Sequence, residues 1–91
     1  MSVVKHLLIT GRVQGVGYRY HLSRVAHELG ITGWVRNRRD GSVEAMVSGS
    51  PEAVEKIIEW APHGPRRAAV TAFEINEGSG SFASFDTLPT A

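Results

Sequence analysis

Two side chains of this sequence could together handle a phosphate group and a water molecule. Arg19 carries a planar guanidinium, which can bind two phosphate oxygens at once in a way that a lysine cannot copy. Asn37 carries a neutral amide, which can both accept a hydrogen bond from a water and donate one to it. Taken singly, each has a commoner role, since helix arginines are mostly solvated and asparagines before a turn mostly bond to their own backbone. Only convergence at one site would make the pair functional.

A glycine-rich segment directly precedes Arg19. Residues 11–17 read GRVQGVG and hold three glycines in seven positions, a composition too flexible for a helix and suited to a loop whose amides can turn inward. The pattern that follows is helical, and the N-terminal amides and dipole of a helix favour a bound anion. The segment therefore predicts a phosphate site at the junction of loop and helix.

The same segment does not match the common nucleotide-binding loops. Tyr20 stands where a dinucleotide fingerprint has its third glycine after Gly15 and Gly17, and the Gly-Lys-Ser/Thr of a nucleotide P-loop is missing. Nucleotide binding is therefore not expected. A glycine-rich turn alone is more often plain backbone geometry than a phosphate cradle, so the prediction depends on Arg19 and on a second motif around Asn37.

The elements that must position these residues alternate between strand and helix patterns. Aliphatic and β-branched runs predict strands, and apolar residues at three- and four-residue steps predict two helices, the first closed by Gly30 and the second opened by Ser50 and Pro51. Asp40-Gly41 predicts a hairpin turn between two strands. The predicted strands span residues 3–10, 32–37, 42–48, 69–76 and, more weakly, 82–88, and the predicted helices span residues 18–29 and residue 51 to just before Pro62.

This order is βαββαβ with a possible extra C-terminal edge strand. It predicts an α+β, ferredoxin-like fold in which two helices cover one face of an antiparallel sheet. The first two strands of this fold run parallel with the third between them, so the loop after strand one and the end of strand two emerge at the same edge. Arg19 and Asn37 should therefore converge, with their strands about 10 Å apart, twice the usual interstrand spacing. That gap has room for a phosphate and a water but not for a large cofactor.

An arginine and an asparagine are sufficient for one class of hydrolysis. The leaving group of an acyl phosphate is a carboxylate, which departs without being protonated, so electrostatic stabilisation and a placed water are the main requirements. Phosphomonoesters need an acid or a metal for their alkoxide leaving group, and the sequence advertises neither. The expected substrate is a small-molecule acyl phosphate, and no cofactor is expected.

Composition limits the other classes of function. Ninety-one residues, 42% hydrophobic and 21% charged, fit one domain over residues 1–91. Ten Lys and Arg against nine Asp and Glu give a net charge of +1, without the basic excess of proteins that bind nucleic acid or membrane surfaces. There is no cysteine, and the four histidines lack metal-ligand spacing, so we expect metal-independent chemistry. With no membrane-length apolar run and no signal-peptide pattern, we expect a cytoplasmic protein, and we expect a monomer.

Two further groups of residues are expected to be structural. Arg36, Arg38 and Arg39 form a basic cluster on the predicted hairpin, where arginines are usually solvated and at most steer an anionic substrate. The large aromatic residues are expected in the core or at its rim rather than in a base-stacking platform, and they are Tyr18, Tyr20, Trp34 and Trp60.

Two longer motifs resemble the signatures of the acylphosphatase family. Residues 11–19, GRVQGVGYR, are similar to the first signature. Residues 33–43, GWVRNRRDGSV, completed by Gly49, are similar to the second. The resemblance extends over about residues 5–70. It departs from the family pattern in the C-terminal segment, where Pro89 cannot donate to a ladder, and this leaves the length of the last strand open.

The resemblance implies the fold of the family and its hydrolysis of acyl phosphates. It implies that Arg19 and Asn37 are the catalytic residues. Inorganic phosphate or sulfate is then expected to compete with substrate as an inhibitor at the loop and helix terminus. The phosphate-binding residues implied are Arg19 and the loop residues Gln14, Gly15, Val16, Gly17 and Tyr18, through their backbone amides.

Two alternatives remain open. A non-enzymatic module on the same fold could keep the anion pocket to bind a phosphorylated metabolite or a partner, although the pair of Arg19 and Asn37 argues against it. Acylphosphatase-like domains also occur fused within larger carbamoyl-phosphate-processing enzymes, which the length of 91 residues disfavours. Hydrolysis of a synthetic acyl phosphate separates an enzyme from a binding module.

Overall fold

The computed structural model describes residues 1–91. In chain order its elements are β1 (Val3–Arg12), α1 (Tyr18–Leu29), β2 (Thr32–Asn37), β3 (Val43–Gly49), α2 (Pro51–Trp60), β4 (Ala69–Glu77) and β5 (Phe85–Thr87). Both helices and the first four strands lie where the sequence predicts them, with small differences at their ends. Neither α1 nor α2 has the length and apolar character of a membrane-spanning helix.

The five strands form one sheet in the order β4-β1-β3-β2-β5. The first four strands pair antiparallel with their neighbours, and β5 lies at the edge of the sheet, parallel to β2. The sheet is therefore mixed. Its antiparallel part confirms the predicted ferredoxin-like α+β fold, and the C-terminal edge strand is present. Because β3 pairs antiparallel with both β1 and β2, those two strands run parallel to each other on either side of it.

Both helices cover one face of the sheet. Side chains at odd-numbered positions of β1, β2 and β3 face the helices, as the alternation of a strand requires. α1 buries Leu22 and Ala26 against them, and α2 buries Val54 and Ile57. This packing fixes where α1 begins relative to the sheet. The sheet residues buried beneath the helices are Leu7, Ile9, Val35, Val43, Ala45 and Val47.

The first strand is longer than the sequence predicts. β1 continues through Gly11 and Arg12, which pair with Val70 and Ala69 of β4, and the register shifts between Thr10 and Gly11. Gly11 has a φ of 126°, and a Cβ there would lie only 2.3 Å from the carbonyl oxygen of Ala69. The expectation that Gly11 ends the strand and opens a flexible loop is therefore wrong. This glycine instead permits two strands to approach closely at a bulge.

The last strand is shorter than the predicted segment 82–88. β5 spans only Phe85–Thr87. The N–H of Leu88 still donates to the carbonyl of Val35 at 2.9 Å. Beyond Pro89, the N–H of Ala91 donates to the carbonyl of Asn37 at 3.0 Å, so contact with β2 resumes after a short irregular stretch.

Candidate active site

Arg19 and Asn37 lie at the same end of the sheet. Asn37 is the last residue of β2, and Arg19 is the second residue of α1, which follows the loop after β1. Val43 of β3 pairs with Ile9 of β1 on one side and with Asn37 on the other. Asn37 is therefore level with Ile9, in the last part of β1. By alternation with the buried Val35, Asn37 lies on the face that α1 covers. The fold thus brings both predicted catalytic residues to one end and one face of the sheet.

The loop between β1 and α1 is held from beneath by two valines. Val13 and Val16 are buried, whereas Gly15 and Gly17 are exposed. Both glycines adopt a left-handed φ, 74° and 83°, which L side chains disfavour. A Cβ at Gly15 would have no neighbour within 4 Å, so backbone conformation rather than space requires the glycine there. Burial of the valines fixes one side of the loop and leaves the other side accessible.

The N-terminus of α1 has no side-chain cap. Gly17 is the N-cap residue, no side chain bonds to the first amides of the helix, and the first turn holds no acidic residue. The second helix differs, since the Ser50 hydroxyl accepts from the Ala53 N–H at 3.2 Å and Glu52 lies in its first turn. The first amides of α1 therefore remain available to an anion, together with the positive end of the helix dipole.

The side chain of Tyr18 is committed to the core. It is 1% exposed, its hydroxyl donates to the carbonyl of Ala61 at 2.7 Å, and its ring lies 5.5 Å from that of Trp60. Burial raises the pKa of the Tyr18 phenol well above its ordinary value. These contacts confirm the expected core and rim positions of the two aromatic residues and tie the start of α1 to the end of α2. Only the backbone of Tyr18 is left for a ligand.

Arg19 and Asn37 both have unused hydrogen-bonding capacity. Both residues are half-buried. The Oδ1 atom of Asn37 is buried and has no hydrogen-bond partner, and a buried acceptor without a partner costs free energy until one is supplied. Arg19 takes part in none of the three ion pairs of the structure, which are Lys5–Glu77, His6–Glu44 and Arg36–Glu44. One free cation and one free acceptor therefore lie at this end of the sheet.

The hairpin turn that follows Asn37 is ordered by its own hydrogen bonds. The Arg38 N–H donates to the carbonyl of Ser42 at 2.8 Å. The Asp40 carboxylate accepts from the hydroxyl and the N–H of Ser42, at 2.6 and 2.9 Å. These two bonds from Ser42 hold the pKa of Asp40 below its ordinary value. With Gly41 at a φ of 95°, the predicted Asp-Gly turn is confirmed.

Two further contacts reach this turn without any clear sign in the sequence. The Nε2 of Gln14 donates to the carbonyls of Arg38 and Ser42, both at 2.8 Å. The N–H of Ala91 donates to the carbonyl of Asn37 at 3.0 Å. The only sequence signal for the first contact is a long amide side chain within a glycine-rich loop. Gln14 thus makes a side-chain contact here, whereas the sequence predicts a role only for its backbone amide.

Arg36, one of the three hairpin arginines, is held by an acidic and an aromatic side chain. On the open face of the sheet, its Nε donates to Glu44 at 2.8 Å, and its guanidinium lies 4.8 Å from the centre of the Trp34 ring. The Nε2 of His6 lies 2.7 Å from the other carboxylate oxygen of Glu44. Burial opposes ionisation of Glu44, but hydrogen bonds from His6 and Arg36 outweigh it and lower the pKa of Glu44. The expectation of one solvated arginine cluster is therefore wrong for Arg36.

Comparison with solved structures supports the fold assignment. An acylphosphatase from Coxiella burnetii superposes with a TM-score of 0.91 at 32% identity, covering 96% of this chain and 93% of that one. Full-length HypF also superposes with a TM-score of 0.91, at 20% identity, covering 99% of this chain but only 12% of that chain. The second likeness concerns the fold alone.

Sequence comparison extends this similarity over nearly the whole chain. The family model for acylphosphatases matches residues 5–87. A curated acylphosphatase of Azoarcus sp. (strain BH72) is 53% identical over 85 residues, which cover 92% of this chain and 87% of that protein. The match reaches beyond the two signature motifs into β4 and β5. The chain therefore belongs to the acylphosphatase family.

Proposed function

We propose that this protein hydrolyses the carboxyl–phosphate anhydride of acyl phosphates by direct in-line attack of water on phosphorus. The water oxygen forms a bond to phosphorus while the bond from phosphorus to the acyl oxygen breaks. The carboxylate leaves with that electron pair, and the protons of the water stay on the phosphate or pass to solvent. The observation that carries the proposal is the location of a free arginine, a free amide oxygen and an uncapped helix N-terminus at one end of the sheet.

Arg19 holds the phosphate in this mechanism. Its guanidinium has no protein carboxylate to neutralise it, so it can donate two parallel hydrogen bonds to phosphate oxygens. Because Arg19 is half-buried, its charge is less screened than that of a fully exposed arginine. The same contacts stabilise the charge on the phosphoryl oxygens in the transition state, which raises turnover as well as affinity.

The loop and the start of α1 complete the phosphate site. Their amides supply hydrogen bonds without adding charge, and the fixed backbone needs little reorganisation when the phosphate binds. The left-handed glycines and the absence of a side-chain cap support this role. The amides proposed for phosphate binding belong to Gln14, Gly15, Val16, Gly17 and Tyr18, with Arg19 as the sixth residue of the site.

Asn37 positions the attacking water. Its Oδ1 is buried and lacks a protein partner, so it can accept a hydrogen bond from a water, while the amide NH₂ can donate to a water or phosphate oxygen. When the water donates to Oδ1, the oxygen lone pair of the water remains available for attack. Because Asn37 holds the water in a fixed orientation, part of the entropic cost of bringing nucleophile and phosphorus together is removed.

The mechanism requires neither a general acid nor a metal ion. A carboxylate leaving group departs without a proton, and Arg19 with the loop amides supplies the electrostatic stabilisation. No group of three or more His, Cys, Asp or Glu residues is placed to hold a metal ion. We therefore extend the proposal to metal-independent hydrolysis of small acyl phosphates, with inorganic phosphate or sulfate as competing inhibitors.

The enzymatic role is favoured over a non-enzymatic binding module, because close relatives over most of the chain are acylphosphatases. The proposal treats residues 1–91 as one acylphosphatase domain, monomeric and located in the cytoplasm. Sedimentation and cell fractionation test the last two points.

The test of the proposed function is hydrolysis of acetyl phosphate or benzoyl phosphate by the purified protein in the presence of a strong chelator. We expect stoichiometric release of inorganic phosphate, at the same rate with and without the chelator. Loss of activity in chelator, restored by a divalent ion, contradicts the metal-free mechanism. Absence of hydrolysis with retained phosphate binding supports a binding module instead.

A further inference from the structure

The side chain of Gln14 connects the loop before α1 to the hairpin turn after Asn37. Its Nε2 lies 2.8 Å from the carbonyl oxygens of both Arg38 and Ser42. Two acceptors fix which end of the amide faces the turn, because only the NH₂ group can donate, and both of its hydrogens are then used. Gln14 is half-buried, so these bonds are partly shielded from competing water.

The two carbonyls that Gln14 contacts are those that define the turn. The carbonyl of Ser42 also accepts from the Arg38 N–H at 2.8 Å, and the carbonyl of Arg38 accepts from the Gly41 N–H at 3.1 Å. Gln14 therefore bonds to the turn at both of its ends. Asn37 directly precedes this turn and is the last residue of β2 to pair with β3.

The two strands that carry the halves of the proposed site do not pair with each other directly. β1 leads into the phosphate loop and β2 ends at Asn37, but the two strands are separated by β3. The bonds from Gln14 are the only side-chain hydrogen bonds between residues 13–17 and residues 38–42. They cross 24 and 28 residues of sequence. Gln14 is thus the one side chain that hydrogen-bonds the loop directly to the turn.

We propose that Gln14 is a positioning residue, whose side-chain amide sets the separation between the phosphate loop and Asn37. This role is distinct from that of the Gln14 backbone amide, and it rests on the proposed function of Asn37. Misplacing a nucleophile by about 1 Å can cost up to a hundredfold in rate. Loss of the Gln14 side-chain bonds therefore lowers kcat, because Asn37 and the attacking water that it holds are displaced. The loop amides and Arg19, which bind phosphate, stay largely in place.

Two variants of Gln14 separate the donors from the bulk of the side chain. Gln14→Met has a similar length but no donor, and Gln14→Asn keeps the amide but is one methylene too short to reach both carbonyls. We expect kcat to fall roughly tenfold or more in both variants. We expect the inhibition constant of inorganic phosphate to change less than about twofold, since the loop amides and Arg19 remain in place. A side chain needed only for folding would not lower kcat while leaving the phosphate inhibition constant nearly unchanged.

The stability control is Ser50→Ala. It removes the side-chain cap of α2, at the opposite end of the sheet from Asn37, and so lowers the melting temperature without touching the proposed site. We expect Ser50→Ala to keep wild-type kcat at a temperature where all variants are folded. If Ser50→Ala and the Gln14 variants all lose kcat in the same proportion to their loss of melting temperature, the effect of Gln14 is one of stability. The inference then fails.

A double-mutant cycle decides whether Gln14 acts through Asn37. In the Asn37→Ala background the water is no longer held, so Gln14→Met should lower kcat by less than about twofold. The same fold-loss in both backgrounds overturns the inference about Gln14 while leaving the proposed role of Asn37 standing. Wild-type kcat in Asn37→Ala overturns both. A rise in the phosphate inhibition constant that matches the loss of kcat in Gln14→Met overturns the positioning role as well.

Discussion

The main chain of Ala91 is hydrogen-bonded to the main chain of Asn37, with the Ala91 N–H donating to the Asn37 carbonyl at 3.0 Å. The carbonyl of Ala91 also accepts from the N–H of Arg39 at 2.9 Å. The segment after β5 therefore continues along the edge of β2 up to the hairpin turn. Since Asn37 also pairs with Val43 of β3, the backbone of the proposed water-positioning residue is held on both sides.

Replacing Ala91 by proline tests the importance of this edge contact. Proline has no N–H, so the bond to the Asn37 carbonyl is lost, while glycine at the same position keeps it. We expect Ala91→Pro to lower kcat by a few-fold and stability by about 1 kcal/mol, the usual net value of one hydrogen bond. Ala91→Gly should retain wild-type kcat. Equal kcat values for the two variants show that the contact does not influence Asn37.

Gly15 and Gly30 form a matched pair for testing the phosphate loop. Both adopt a left-handed φ, 74° and 70°, and a Cβ at either would have no neighbour within 4 Å. Alanine at either position should therefore cost a similar amount of stability, about 1 to 2 kcal/mol. Gly15→Ala should also weaken phosphate inhibition, because relief of the strain turns the loop amides. Gly30→Ala, at the far end of α1, should leave inhibition unchanged, and measured inhibition constants that move equally in both contradict the assigned role of the loop.

The acid side of the stability profile should depend on Glu44. Hydrogen bonds from His6 and Arg36 lower its pKa in the folded protein below the ordinary value of 4.5, despite burial. A depressed folded pKa gives stability that is fully present above the unfolded value and is lost as the pH falls through the folded pKa. We expect Glu44→Gln to be less stable than wild type at pH 7, with the difference shrinking below pH 4.5. Urea unfolding across this range checks it, and a difference that is constant with pH contradicts it.

The sequence predicts the helix and the turn that flank the proposed site better than it predicts the edges of the sheet. The bounds of α1 follow from apolar periodicity between two left-handed glycines, and the position of Asn37 follows from the strand and Asp-Gly turn signals. These features depend on residues that are close together in sequence, so local patterns predict them. The C-terminal end of β1 and the length of β5 depend instead on pairing with a neighbouring strand. Gly11 has the composition of a loop residue, but it pairs with Val70 across a bulge that only the folded sheet defines.

Side-chain contacts between distant segments are the part that patterns do not predict. The interaction of Gln14 with Arg38 and Ser42 requires that the loop and the turn meet at a set distance. The stacking of Arg36 on Trp34 requires that both point to the open face. Alternation along β2 predicts that the two share a face, but the acidic partner on β3 depends on register. Such contacts are decided by tertiary geometry rather than by spacing along the chain.

Catalysis and phosphate binding should depend more on the planar geometry of the Arg19 guanidinium than on its charge alone. Arg19→Ala removes both contacts to phosphate, so affinity and turnover should fall together, and inhibition by inorganic phosphate should weaken in parallel. Arg19→Lys keeps the positive charge but cannot donate from a planar fork, so it should restore little of the lost kcat/KM. Kinetics with acetyl phosphate and phosphate inhibition constants for both variants test this. Full rescue by lysine indicates a purely electrostatic role.

The measurement that tests the account most directly is kcat for acyl phosphate hydrolysis by Asn37→Ala, made together with the inhibition constant of inorganic phosphate. Removing the amide leaves Arg19 and the loop in place but no longer holds the attacking water. We predict that kcat falls by roughly a hundredfold or more, in line with the loss of one preorganised group. The inhibition constant should stay within about twofold of wild type. Hydrolysis by Asn37→Ala at the wild-type rate contradicts the proposed positioning of water by Asn37.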